Sequence, residues 1–181
     1  MLELIQRVRA IMMTPQAEWP AVAREPDVLA IRYVAILALI PALARLVGGW
    51  LIGGYTPFLA ALIGAVLGYA LSLAVVFAVA FVVDVLAPKF GGERGYSSAL
   101  RLTAYSFTPV WLAGIVLLVP GASFLVLLGL YGVYLMWIGT PVMMQSAKDK
   151  TLSYVATVAL WAIALEAAVR FALIATIGTM R

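Results

Sequence analysis

The sequence contains no cysteine and no histidine, and only 11% of its 181 residues are charged. The missing side chains exclude disulfides, and they exclude zinc and iron–sulfur sites that depend on those ligands. The chain also has no P-loop, dinucleotide fingerprint or nucleophile elbow, so we predict no cofactor, no metal and no enzyme. Soluble domains carry about a quarter of their residues as charges, and this chain has too few to coat a globule.

Long apolar runs take up most of the chain. Its residues are 65% hydrophobic, and its mean hydropathy is +1.09. Five runs reach the roughly 18–25 residues with which a helix crosses about 30 Å of hydrocarbon. They cover about residues 29–51, 58–87, 102–119, 122–144 and 152–177. None alternates like a barrel strand. We therefore predict an all-α integral membrane protein, with an N-terminal segment at 1–28 and a bundle of five transmembrane helices at 29–177.

The basic residues are sorted between the two sides of this predicted bundle. One side holds Arg7, Arg9, Arg24, Arg32, Lys89, Arg94, Arg101, Lys148 and Lys150. The two connections on the other side contain no Lys or Arg. Short positive loops stay in the cytoplasm, so we predict a cytoplasmic N-terminus and an outside C-terminus. The net charge of +4 is spread over these loops rather than along one stripe, so it does not indicate nucleic acid.

The N-terminal segment is predicted to be an amphipathic helix. Its apolar residues share one face: Met1, Leu4, Ile5, Val8, Ile11 and Met12. Arg7 and Arg9 lie away from that face and suit anionic lipid headgroups, so we interpret the helix as interfacial. Packing onto the inner loops is the alternative. The segment is long and partly acidic, which argues against a cleaved signal peptide, so the first run is interpreted as a retained span.

Three charges lie in the predicted spans away from the inner interface. Glu166 lies about 20 Å along the fifth helix from Leu152, near the bilayer centre, and Arg170 is one turn away. Arg45 is in the outer half of the first span. A charge at that depth is costly, so these side chains should face protein or water. The cluster is either a site for an anion or a lipid phosphate, or a structural pair with an arginine that reaches the interface.

Other polar residues mark the inner interface and a kink. Arg32, Asp84 and Arg101 have similar depth and predict an interfacial salt bridge. In the third run, Pro109 removes the helical donor for a carbonyl four residues earlier, which a Ser or Thr hydroxyl can satisfy. The polar segment there is Tyr105, Ser106, Thr108 and Pro109. It indicates either the lining of a pathway or a kink that serves packing alone.

Small residues recur every four positions in two of the runs. The second run contains Ala60, Gly64, Gly68 and Ser72, and the fifth contains Ala164, Ala168 and Ala172. Small side chains let helices approach closely, so both stretches predict packing seams, within one chain or between chains. Contacts between chains would make the protein a homo-oligomer or the partner of another membrane protein.

Several short motifs resemble those of the Yip (Ypt-interacting protein) domain family. The similar segments are residues 95–109, Pro15 with Trp19, Pro120 in an outer turn, and residues 130–134 leading to Gly139. They follow one another in order over roughly residues 10–175. The resemblance implies a five-span α-helical membrane protein with a cytoplasmic N-terminus, and it supplies no catalytic residues.

Eukaryotic members of that family act in vesicle traffic and associate with Rab-type small GTPases and with each other. This sequence shows neither their long cytosolic N-terminal region nor their Asp-Leu-Tyr-Gly-Pro motif, so GTPase binding is not inferred. It looks more like the short bacterial branch, which implies a bacterial inner membrane. Two functions follow as hypotheses: a non-enzymatic organiser of membrane, lipid or protein partners, or a small oligomeric transporter or channel that uses Arg45, Glu166 and Arg170.

Overall fold

The structure, a computed structural model, describes residues 2–52, 54, 57–118 and 129–178. Within these ranges the regular secondary structure is entirely helical. The α-helices of these ranges are α1 (Leu2–Met13), α2 (Pro15–Val22), α3 (Asp27–Leu37), α4 (Leu39–Leu46), α5 (Phe58–Leu86), α6 (Tyr96–Ser106), α7 (Thr108–Ala113), α8 (Tyr131–Met143) and α9 (Thr151–Gly178). A π-helical segment (Val47–Ile52) follows α4, and 3-10 segments follow α5 (Ala87–Phe90) and α7 (Gly114–Leu118).

Within the described ranges, three stretches are long and apolar enough to cross a membrane. They are Asp27–Ile52, Phe58–Phe90 and Thr151–Val169, and they coincide with the first, second and fifth predicted spans. The third predicted span is divided among α6, α7 and a 3-10 segment. The fourth is described only from residue 129, and Pro120 of the outer turn also lies outside the described residues. The described part of the chain is therefore all-helical with three candidate membrane-spanning helices, and the count of five stays a prediction.

Helix α5 forms the centre of the bundle and packs against α4, α6 and α9. Val76, Val79 and Ala80 on one of its faces are fully buried. Phe81 on another face is 58% exposed. An apolar side chain that faces outward in a bilayer meets lipid rather than water, so a spanning helix can be apolar on every side. The exposed phenylalanine fits a helix surrounded partly by protein and partly by lipid.

A break separates α6 from α7 at Phe107. Pro109 has no N–H, so the carbonyl of Tyr105 loses its helical donor. The hydroxyl of Thr108 donates to that carbonyl at 2.7 Å. This confirms the compensation that the proline predicts, and it explains how a helix break is accommodated among buried residues.

Helices α1 and α2 pack onto the bundle rather than project from it. Ile11 of α1 and Trp19 of α2 are fully buried, and Leu4 and Val8 pack against the same core. The predicted apolar face of α1 thus contacts protein along much of its length. Ile5 is 59% exposed, which leaves part of the helix surface open. A location of α1 at the membrane interface stays a prediction.

Candidate functional site

One contact joins three motif segments that are far apart in the sequence. Gly139 of α8 lies against Trp19 of α2 and Leu102 of α6. A Cβ added to Gly139 would lie 2.5 Å from Trp19 Cε2 and 2.7 Å from Leu102 Cδ1. Only glycine leaves room for the indole at this position, because real Cβ atoms do not approach neighbours so closely. The motif residues therefore fix the position of α2 on the bundle.

A second contact attaches α8 to the end of α6 and to α1. A Cβ added to Gly132 would lie 2.5 Å from the carbonyl oxygen of Ser106. The hydroxyl of the neighbouring Tyr131 donates to the carbonyl of Met12 at 3.0 Å. Within the motif at residues 130–134, Tyr131 thus bonds to α1 and Gly132 packs against the end of α6.

Arg7 lies at the centre of a charged cluster between the N-terminal helices and α6. Its guanidinium forms ion pairs with Glu18 and Glu25, and it lies 6.0 Å from the centre of the Tyr105 ring. The hydroxyl of Tyr105 donates to Glu25 at 2.7 Å. The side chains of Arg7 and Glu25 are only 24% and 12% exposed, so solvent screens them little. Arg7, Glu18, Glu25 and Tyr105 together are termed the N-terminal clasp.

A chain of hydroxyl groups continues from the clasp into the bundle. The rings of Tyr33 in α3 and Tyr105 in α6 are in contact, with centroids 4.6 Å apart. The hydroxyls of Tyr33 and Thr108 are 2.7 Å apart. Thr108 already donates to the carbonyl of Tyr105, so Tyr33 is the donor in this second bond. Two residues of the predicted polar kink are therefore bonded to other parts of the protein.

The charges predicted at the inner interface have partners that the sequence did not indicate. Asp84 is 6% exposed and accepts hydrogen bonds from Arg94, the shorter at 2.8 Å. Arg101 pairs with Asp27 at 2.8 Å, and Arg32 is exposed. The predicted salt bridge between Asp84 and Arg32 or Arg101 is therefore wrong. The connection after α5 turns back across the end of that helix and brings Arg94 to Asp84.

A cavity of about 460 Å³ lies between α5, α7, α8 and α9, next to the break after α6. Among the described residues that line it, only Ser106 and Glu166 are polar. The hydroxyl of Ser106 is buried and has no hydrogen-bond partner among the described residues. Ser106 thus differs from its neighbours Tyr105 and Thr108, because it lies in the wall of an open space.

The three predicted intramembrane charges have different surroundings. Glu166 is half-buried in the cavity wall. Arg45 is exposed on α4, and its Nη1 would lie 3.9 Å from a Cβ on Gly68 of α5. The side chain of Arg170 lies outside the described residues, so a single site formed by all three stays a prediction. Among the described residues, no three acidic groups lie close enough together to hold a metal ion.

The two predicted packing seams differ in exposure. Gly64 of α5 is buried, and Gly68 is half-buried beside Arg45. Ala164 and Ala168 of α9 are exposed. The seam of α5 therefore lies within this chain's own bundle, whereas the seam of α9 faces outward.

Sequence patterns did not indicate the clasp. They assigned Arg7 to lipid headgroups and treated Glu18 and Glu25 only as parts of an acidic leader. One available signal is composition. Arg7, Glu18 and Glu25 all lie in the N-terminal segment at 1–28, although the whole chain has only 8 acidic residues. The proximity of Tyr105 has no comparable signal, because that residue is 80 positions from Glu25.

Comparison with known proteins identifies one family. A family model described as the Yip1 domain matches residues 9–169. The matched range includes the contact at Trp19, the cavity, and every residue of the clasp except Arg7. No curated protein and no solved structure gives a significant match to the chain.

Proposed function

Because the chain belongs to the Yip1 domain family, we propose that it is a non-enzymatic membrane protein that organises lipid or protein partners within the bilayer. The observation that carries this proposal is the use of the motif residues. Gly139 packs against both Trp19 and Leu102, so these residues build a scaffold rather than surround reacting atoms. A scaffold with a long apolar outer surface is suited to binding lipids and other helices.

The proposed topology has five spans, with a cytoplasmic segment at 1–28 that includes an interfacial α1, and a transmembrane domain at 29–177. The sorted basic residues support it, and the location is a bacterial inner membrane. The chain has no cysteine, so single introduced cysteines report sidedness without background. Thr56→Cys should react with a membrane-impermeant maleimide in intact cells, and Lys148→Cys only after the membrane is opened. Reaction of Lys148→Cys in intact cells would overturn the topology.

Self-association through α9 is the direct test of the organising role. Ala164 and Ala168 are exposed, and small residues allow a second helix to approach closely. Replacing both by isoleucine should lower the dimer fraction at least about fivefold, since an overpacked contact costs roughly 1–3 kcal/mol. Native mass spectrometry from nanodiscs measures this fraction together with any bound lipid.

Helix α5 supplies a matched control for that experiment. Ala70 and Ala74 are exposed at the same four-residue spacing, so replacing both by isoleucine should leave the dimer fraction unchanged. Equal effects of the two double variants would show that α9 has no special role. A strictly monomeric wild-type protein with no bound lipid or protein partner would contradict the organising role itself.

A small oligomeric transporter or channel is the second candidate. One observation favours it: Glu166, near the middle of α9, lies in a cavity wall. The apolar remainder of that wall does not replace the hydration shell of an ion, so the organising role receives more support. An ion or solute flux into proteoliposomes that Glu166→Gln changes would reverse this preference.

A further inference from the structure

The cavity between α5, α7, α8 and α9 has the size and wall of a site for an apolar molecule. Its volume of about 460 Å³ falls within the roughly 300–1,000 Å³ of small-molecule sites. The apolar part of this wall offers water no hydrogen-bond partners and does not hold it stably. Leaving it empty would cost the lining residues their dispersion contacts. Hydrocarbon is the abundant material in a bilayer that fits such a wall.

Two polar residues make the cavity more than a space for hydrocarbon. Glu166 lies in the wall on α9, and Ser106 lies in it at the end of α6. A carboxyl group has several acceptor positions, so Glu166 can bond to protein neighbours and to a ligand at the same time. A hydrocarbon makes no hydrogen bond to the carboxyl group of Glu166, whereas a hydroxyl or an amine can donate one to it.

We propose that the cavity binds one long-chain amphiphile, with its chain against the apolar wall and its hydroxyl or amine donating to Glu166. The proposal rests on the proposed function only in requiring that the protein lies in a bilayer. It also predicts selectivity. A long-chain alcohol is favoured because its hydroxyl donates to Glu166, whereas a fatty acid in its carboxylate form can only accept hydrogen bonds.

Photolabelling in nanodiscs tests the site with two matched probes. One is a hexadecanol and the other a hexadecanoic acid, each with a diazirine at mid-chain. Cleavage after Lys150 and Arg170 yields a peptide of residues 151–170, which carries the α9 part of the wall. The alcohol should label this peptide at least about fivefold more than the acid, as expected for one hydrogen bond to the Glu166 carboxyl group.

Three variants distinguish binding of the ligand's hydrocarbon chain from recognition of its head group. Ala159 lies in the wall, so Ala159→Phe should fill the cavity and lower labelling by both probes at least about fivefold. Ala156 is exposed on the same helix and outside the wall, so Ala156→Phe should leave labelling unchanged. Glu166→Leu should keep the labelling but abolish the preference for the alcohol.

Either of two results overturns the proposal: labelling that Ala159→Phe does not reduce, or equal labelling by alcohol and acid in the wild type. If Ala159→Phe does not yield a monodisperse protein, Ala162→Leu fills less of the same wall. The dimer fraction of each sample is measured alongside. An unchanged dimer fraction with failed labelling rejects the cavity site and leaves the organising role standing.

Discussion

Replacing Gly132 by alanine is expected to destabilise the protein by about 1–3 kcal/mol, since overpacking a tight contact typically costs that much. The added Cβ would lie 2.5 Å from the carbonyl oxygen of Ser106. That atom belongs to the backbone, so relief requires α8 to move away from the end of α6. The change should appear as a drop of several degrees in the temperature at which the protein loses its monodisperse profile in detergent.

Gly68→Ala is the matched control for this change. Gly68 is also in the interior of a helix, but a Cβ there would lie 3.9 Å from the nearest described atom, Arg45 Nη1, which is ordinary contact. Because glycine is unfavourable in a helix, this variant should be neutral or more stable by up to about 1 kcal/mol. If both variants destabilise the protein equally, the close approach of α8 to α6 is not what requires glycine at position 132.

Arg7→Met is expected to weaken the attachment of α1 to the bundle. Methionine keeps an apolar stem of similar length and removes the cation that pairs with Glu18 and Glu25. Two partly buried carboxylates then lose their partner, at a cost of about 1–3 kcal/mol. Amide hydrogen exchange of residues 2–13 should become roughly ten- to a hundredfold faster, because that cost falls on the local opening of α1. Mass spectrometry of the N-terminal peptides measures this directly.

Arg9→Met distinguishes the clasp from the general effect of losing a positive charge. Arg9 is on the same helix and is exposed, so its replacement should leave the exchange of α1 close to wild type. The amides of α9 should be unaffected in both variants. Similar acceleration by Arg7→Met and Arg9→Met would mean that α1 is held by contact with anionic headgroups rather than by the clasp.

Apolar runs predicted the long helices well. The second run, about 58–87, corresponds to α5 at Phe58–Leu86, and the fifth, about 152–177, to α9 at Thr151–Gly178. The first run became α3 and α4 with a π-helical segment. Average hydropathy does not show where a helix changes its hydrogen-bond pattern, because that depends on how neighbouring helices pack.

Local chemistry was predictable at the candidate site, and long-range pairing was not. Pro109 and Thr108 are adjacent, so the lost donor and its replacement could be deduced from covalent geometry. The pairing of Asp84 was predicted incorrectly, since similar depth in the membrane does not determine which arginine reaches a carboxylate. The contact between Trp19 and Gly139 depends on how α2 is placed on α8. No local sequence pattern encodes that placement, because the two residues are 120 positions apart.

The clasp gives Arg7 two roles at different stages in the life of the chain. In the proposed topology, Arg7 counts during insertion among the positive residues that retain the N-terminus on the cytoplasmic side. After folding, its guanidinium is held in ion pairs with Glu18 and Glu25, and its side chain is only 24% exposed. The folded protein therefore has less of this cation available to lipid headgroups than the extended chain has. Residues that direct biogenesis need not be the ones that later attract anionic lipids.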